Sequence, residues 1–329
     1  MYATLYNQAR ILYCLEPLTG LLIKSGKESF DPTRPEMEFI RTWAEVEGVV
    51  LEVPFLPGSS IKGVVRSHAE RVLRALRPAS PEKAACDPTG RIGSCVPDKK
   101  GQKTGGQHKA PHYREHCLAC RTFGRTTLAG RVRFTDAFPW KPEDDPTSRK
   151  RQMGEIAFQQ RPGVRINRRT GTADGGAFYE IETITSGRFY GEITLRNFQL
   201  WQMGLLALVL RDIDEGHQRI GAMKSRGLGR VKLKVEELRI DQYGTLVQPD
   251  SVRIRGVGDE PGLVAQYDLV SEDAVDRPEA FETVGDAVLR QCFKPGNGSA
   301  DTAWKDLADA ILRSPHWRGL MQQAKGEQE

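Results

Sequence analysis

The sequence predicts an α+β fold, and three observations carry the prediction. Segments such as GVVLEVPF and RFYGEITL are rich in β-branched and aromatic residues and read as strands. Two segments, one beginning at Ser59 and one at Leu200, place apolar residues at helical spacing. Each helical segment falls between strands, an order that lays helices against one face of a sheet.

The elements follow in order. TLYNQARILYCLEPLTGLLIKSG reads as a strand leading into a loop, and KESFDPTRP, polar with two prolines, as a loop. EFIRTW and GVVLEVPFLPG read as strands or a short hairpin. From Ser59 to Arg77, Ile61, Val64, Val65, His68, Val72, Leu73 and Leu76 recur at helical spacing, and Pro78 ends the helix. Residues 79–116 are too poor in large apolar side chains to bury a core. GRVRFTDAFP then alternates as a strand, and Lys141–Arg151 is a charged loop. GVRINRRTGTADGGAFYEIETIT reads as a long hairpin with a polar, glycine-rich turn. SGRFYGEITLRNF is a further strand and LWQMGLLALVLRDIDEG a second amphipathic helix. IGAMKSRGLGRVKLKVEELRI supplies a glycine-rich turn and a last strand. The order β-α-β-β-α-β is that of a ferredoxin-like, RNA-recognition-motif-like core. It occupies residues 1–243, with an insertion at 79–122 and a hairpin at 154–183. Residues 244–329 form an acidic extension that reads as mostly helical from Arg277 to Gln323.

Apolar residues make up 39% and charged residues 28% of the 329, the balance of an ordinary globular chain. The longest apolar run, Leu200–Leu210, contains Gln202 and stops at Arg211, short of the roughly 18 residues a spanning helix needs. No secretory signal is evident at MYATLYNQAR, so the expected location is intracellular, cytoplasmic. The net charge of +5 is uneven: residues 259–329 hold fourteen acidic and seven basic residues, which leaves the remainder at +12. A basic body of this kind suits a polyanionic partner.

Three motifs carry chemistry. Cys86, Cys95, Cys117 and Cys120 cluster in sequence, the last two in a C-x-x-C, while Cys14 and Cys292 stand alone. In an intracellular chain the cluster reads as a closed structural zinc site. His108, His112 and His116 are spare nitrogens, any one able to replace a thiolate. Free thiols and redox chemistry are the other readings. Basic residues concentrate next: Arg161, Arg165, Arg168 and Arg169 in RPGVRINRRTGT, and Lys224, Ser225 and Arg226 between the glycines of GAMKSRGLG. Both segments lack acids and suit phosphate contacts, though solvated turns have the same composition. In LPGSSIKGVVRS, Ser59 or Ser60 reads as a helix N-cap. Lys62 and Arg66, four apart, share a face that either lies in solvent or holds a phosphate.

LPGSSIKGVVRS, CLACRTFG, GRVRFTDAF and KSRGLGRV, in this order, resemble the backbone RAMP subunits of type III CRISPR effector complexes, from about Leu12 to Val235. The resemblance implies a palm of ferredoxin-like fold, a thumb hairpin and a zinc-bearing insertion. It implies guide-RNA phosphates held by Ser59, Ser60, Lys62, Arg66 and Lys224–Arg226, with the thumb, here Gly154–Thr183, interrupting guide–target pairing. The implied partners are guide RNA, target RNA, other effector subunits and copies of related backbone subunits. Active relatives cut target RNA with a loop aspartate about five residues ahead of an arginine that follows an apolar pair. Counted back from Arg41, that position is Glu36, and Asp31 in the same loop is the second candidate. Either carboxylate would work with Mg²⁺ or another divalent cation. The competing readings are a non-catalytic structural or terminal subunit, and a repeat-RNA processing endoribonuclease. For the latter the one histidine on the first helix, His68, reads as a core residue on the apolar stripe.

Overall fold

The computed structural model describes residues 3–26, 35–77, 80–87, 95, 113–126, 128–248, 252–284, 290–315 and 317. Strand β1 (Asn7–Pro17) is followed by a hairpin, β2 (Arg41–Val46) and β3 (Val49–Pro54), and by helix α1 (Gly58–Leu76). Two short helices, α2 (Pro81–Ala84) and α3 (Leu118–Phe123), frame the insertion. Next come β4 (Val132–Phe134), α4 (Pro146–Gly154), the paired strands β5 (Ala157–Ile166) and β6 (Ala173–Ser186), β7 (Phe189–Arg196), α5 (Leu200–Asp214) and β8 (Val231–Tyr243). The extension adds β9 (Arg253–Arg255), α6 (Pro261–Tyr267), β10 (Ala274–Asp276), β11 (Phe281–Val284), β12 (Arg290–Pro295) and α7 (Ala300–Arg313).

The central sheet is antiparallel, in the order β11-β12-β8-β1-β7-β4. β1 lies inside it because Ile11 to Leu15 form a continuous apolar run, buried on both faces. Ala9, Ile11, Tyr13 and Leu15 turn to one face and join the main core, while Arg10 turns to the other and pairs with Glu192 at 2.6 Å. Ile11 sits opposite Ile193 on β7 and Leu238 on β8. α1 buries Ile61, Val65, Ala69 and Leu73, a stripe at i, i+4, i+8 and i+12. His68 lies beside this stripe rather than on it: half-buried, it meets Asp212 of α5 through Nε2 at 2.5 Å.

Three sequence expectations are corrected. The segment taken as a charged loop, Lys141–Arg151, contains the start of α4: Asp145 caps that helix by accepting from the Ser148 N–H at 3.1 Å, and Pro146 occupies the first turn. The extension is less helical than its composition implied. Within 277–323, β11 and β12 are strands that continue the central sheet beyond β8, and α7 is the one long helix among the described residues. α5 is not amphipathic, since eleven of its fifteen residues are buried. The reason is α7, whose Ala303, Trp304, Leu307 and Ile311 enter the same core and which packs against both β8 and a flank of α5. Ile311 lies over Gly204, where a β carbon would stand 2.8 Å from its Cγ2.

Asp273 closes the joint between core and extension. Its carboxylate, fully buried, accepts from the Leu200 N–H at the start of α5 (3.0 Å) and from the Gly258 N–H (3.1 Å). Burial pushes this carboxyl up to about 7, against the pull of those two backbone donors.

Candidate nucleic-acid interface and metal centre

α1 begins one residue before the two serines, so neither of them is its cap. Pro57 holds the N-cap position without a side-chain bond, and the Gly58 N–H donates instead to Asp136 Oδ1 at 2.7 Å. This bond requires glycine, because a β carbon at position 58 would stand 2.6 Å from the Phe134 carbonyl oxygen and 2.7 Å from that of Thr135. With the cap supplied by Asp136, Ser59 stays exposed and Ser60 half-exposed in the first helical turn. Lys62 follows, without a carboxylate partner among the described residues. Burial lowers its pKa, and the neighbouring charges of Arg66 and Arg133 lower it further. Arg133 is exposed on β4, and the sequence reading passed over it. The period of two in GRVRF, with Val132 in the core and Arg133 opposite, is the signal that marks it.

Arg66 shares the Lys62 face, as the spacing predicts, but its guanidinium is bonded inside the protein. Nε donates to Glu70 at 2.8 Å, Nη1 to the Gly124 carbonyl at 3.0 Å, and Nη2 approaches Cys120 Sγ at 3.8 Å.

A second basic site lies between the β5–β6 hairpin and the glycine-rich turn. An open groove of about 1110 Å³ is lined by Glu36, Arg165, Arg168, Phe178, Tyr179 and Arg226, among others. It gathers residues that lie far apart in sequence. Arg165 and Arg168 come from the turn end of the β5–β6 hairpin. Arg226 closes a 3-10 turn, Lys224–Arg226, whose Lys224 and Ser225 are exposed. The turn starts after Gly221, which takes left-handed backbone (φ 85°) and touches the Leu22 carbonyl too closely for a side chain. The Arg226 guanidinium donates to the Tyr179 hydroxyl and lies 5.7 Å from the centre of that ring, joining the turn to the thumb. Arg161 and Arg169 do not line the groove: Arg161 Nε donates to Gln159 Oε1 at 3.1 Å along β5, and Arg169 sits exposed in the turn.

Glu36 is exposed, yet the chain around it is tied on two sides. The Met37 N–H donates to the Glu180 carbonyl and the Glu182 N–H to the Met37 carbonyl, at 3.2 and 3.0 Å, which binds the segment to β6. On the other side Ser25 donates to the Glu38 carbonyl and Ile40 to that of Ile23. Asp31 lies outside the described residues. His68 bonds Asp212 and, through Nδ1, Arg71 at 3.2 Å, between α1 and α5 and outside the groove.

The four cysteines converge. Their sulfurs all lie within 4.8 Å of one another, and Cys86 Sγ and Cys120 Sγ are 3.7 Å apart. Tetrahedral ligands about 2.3 Å from a metal stand about 3.8 Å from each other, so the spacing fits a metal centre with four thiolate ligands. The first turn of α3 presents Cys117 and Cys120 together: Cys117 is its N-cap and accepts from the Cys120 N–H at 3.4 Å. The Cys95 thiol is drawn down toward thiolate, chiefly by the S–H groups of Cys117 and Cys120. His116 is buried but is not part of the cluster, and His108 and His112 lie outside the described residues. Cys14 and Cys292 are buried elsewhere, and burial pushes the Cys14 thiol up to about 12.

Among the described residues no helix is long and apolar enough to cross a membrane. A search of curated proteins returns no match for the chain. A family model described as the RAMP superfamily matches residues 15–232, from the end of β1 to the start of β8, and so takes in the α1 turn, the cysteine cluster, the thumb and the glycine-rich turn. About two thirds of the chain falls within that match, and the protein belongs to the RAMP superfamily, whose members are CRISPR-associated RNA-binding proteins.

Proposed function

We propose that the chain is a backbone subunit of a type III CRISPR effector complex, binding guide RNA through its phosphates and cutting target RNA. The observation that carries this reading is the groove in which Glu36 meets Arg165, Arg168 and Arg226. The core order supports it. Strands β1, β4, β7 and β8 are interrupted by α1 and α5 in the sequence β-α-β-β-α-β, and stand side by side as β8-β1-β7-β4, the arrangement of a ferredoxin-like fold.

Guide RNA binds along two basic surfaces, Ser59, Ser60, Lys62 and Arg133 at the α1 turn, and Lys224, Ser225 and Arg226 at the glycine-rich turn. None of these contacts reads a base, so any guide is accepted. The thumb brings Arg165 and Arg168 to the phosphate of the target strand, and Phe178 and Ile166, 69% and 59% exposed, offer apolar surface to its bases. In cleavage a ribose 2′-OH gives up its proton to water as its oxygen bonds to the adjacent phosphorus, and the P–O5′ bond breaks, the 5′-oxygen of the next nucleotide leaving as a hydroxyl after taking a proton from water, with a 2′,3′-cyclic phosphate as product. A divalent cation bound at Glu36 would supply charge neutralisation for the phosphorane oxygens. Arg165 and Arg168 orient the scissile phosphate, and the Tyr179–Arg226 pair holds the turn against the thumb. Cys86, Cys95, Cys117 and Cys120 hold a structural zinc ion that replaces the missing apolar core of the insertion.

The deciding experiment follows labelled target RNA in the assembled complex with Mg²⁺, comparing Glu36→Gln, Asp31→Asn and the double variant. Loss of cleavage in Glu36→Gln with target binding retained supports the reading. Loss only in Asp31→Asn moves the catalytic role to that residue. Unchanged cleavage at every site in the double variant eliminates catalysis by this subunit.

A further inference from the structure

Four thiolates and one divalent ion carry a net charge of −2. Such a centre, taken out of water, needs donors on its sulfurs and counter-charge nearby. Every sulfur of the cluster receives an N–H. Cys95 Sγ accepts from the Cys117 backbone at 3.2 Å, and Cys117 Sγ from the Cys86 and Cys120 backbones at 3.3 and 3.4 Å. The remaining two sulfurs meet cations: Arg125 Nη1 stands 3.2 Å from Cys86 Sγ, and Arg66 Nη2 3.8 Å from Cys120 Sγ. Two guanidinium groups thus face a centre of charge −2, and Arg66 shares its charge with the Glu70 carboxylate at 2.8 Å.

We propose that Arg66 and Arg125 form the charge-neutralising outer shell of the metal centre, and that Arg66 is a positioning residue rather than a phosphate ligand. The inference rests on the reading of the four cysteines as a metal site. Its support is that the Arg66 fork is committed at all three nitrogens, to Glu70, to the Gly124 carbonyl and to Cys120. Lys62, one turn earlier on the same face, has no carboxylate partner among the described residues and is left to phosphate. Arg74, two turns beyond Arg66, extends the same grip by donating to the Ala85 and Cys86 carbonyls at 3.0 and 3.2 Å.

The test uses the full chain with zinc bound, in wild-type, Arg66→Gln, Arg66→Lys, Arg125→Gln and Lys62→Gln forms. Metal affinity is read by competition with a chromophoric chelator, and the thiolate shell by the sulfur-to-metal charge-transfer band after Co²⁺ substitution. Single-stranded RNA binding is read as the slope of log affinity against log salt. Arg66→Gln and Arg125→Gln are expected to weaken metal binding about 10- to 100-fold and to shift the Co²⁺ band. Their salt slopes stay at the wild-type value, and Arg66→Lys regains part of the lost affinity. Lys62→Gln is expected to lower the slope by about 0.7 and leave metal affinity unchanged. Wild-type metal affinity and an unshifted band in Arg66→Gln, with a lowered salt slope, overturn the proposal. Should Arg66→Gln fail to fold, Arg66→Lys and Arg125→Gln decide it by the same readouts. A wild-type chain that binds no metal overturns the metal-site reading itself, and is told apart because it shows before any substitution.

Discussion

The Arg41 guanidinium grips the Glu182 carboxylate with both prongs, Nη1 to Oε2 at 2.8 Å and Nη2 to Oε1 at 2.6 Å. The same carboxylate accepts from the Phe39 N–H at 3.0 Å, and the Arg41 side chain lies 4.6 Å from the centre of the Phe158 ring. Arg41 therefore joins the segment carrying Glu36 to both strands of the β5–β6 hairpin, to β6 by the ion pair and to β5 through the Phe158 ring. Arg41→Ala and Glu182→Gln should each loosen that segment, with a coupling of about 1–2 kcal/mol in a double-mutant cycle. Urea unfolding of the four variants measures the coupling. Proteolysis between residues 35 and 41 should speed up in the single variants.

Lys62 and Arg133 are expected to act on RNA as charges, independently of sequence. Replacing either by Gln should weaken guide binding about equally for unrelated guides and lower the salt slope by about 0.7 each. Filter binding at several salt concentrations with two unrelated guides checks this. A loss confined to one guide sequence would contradict phosphate-only contact.

Metal removal should act on the insertion and on α1. The purified chain is expected to contain about one metal ion, lost together with thermal stability in Cys117→Ser but kept in Cys14→Ser. Elemental analysis and thermal melts, with and without chelator, provide the check. Because α1 carries Arg66 and Arg74 to the cluster, chelation should also raise amide exchange in α1.

Asp273 gives a pH dependence of definite sign. Its pKa is about 7 when folded, above the ordinary aspartate value of 3.8, because burial disfavours the charged form. The contribution to stability is therefore complete below about pH 4 and is lost as pH rises through 7. The slope is at most about 1.4 kcal/mol per pH unit within that window. Asp273→Asn should abolish this part of the slope between about pH 4.5 and 7, at the cost of one backbone hydrogen bond. Melting temperatures of the two proteins across that range, compared as a difference, make the measurement.

Leu307, fully buried where α7 meets α5, should cost about 2–5 kcal/mol when cut to alanine. Equilibrium urea unfolding of the wild-type and Leu307→Ala proteins measures the difference.

The α+β architecture was legible because its signals are local. The apolar, β-favouring run in β1 and the helical spacing from Ile61 to Leu73 can be read without reference to any other element. The convergence of Cys86, Cys95, Cys117 and Cys120 was legible from composition, since few other uses exist for such a cluster in an apolar-poor segment. What was missed depends on distant partners. Ser59 or Ser60 reads as the N-cap until Asp136, far along the chain, is seen accepting from the Gly58 N–H. Arg66 reads as a phosphate ligand beside Lys62, and only the fold brings Gly124 and Cys120 to it. β11 and β12 were hidden by their acidic surroundings and become strands by pairing on from β8. Tyr179, in a segment read only as a hairpin arm, gained meaning when Arg226 was placed beside it.

The seam between α5 and α7 makes the two helices interdependent: a chain cut after β8 would bare the flank of α5 that Ala303, Trp304, Leu307 and Ile311 cover, and would leave those four side chains without a core to enter. Grafting this extension onto a relative would succeed only if Gly204 and its apolar neighbours were transplanted with it.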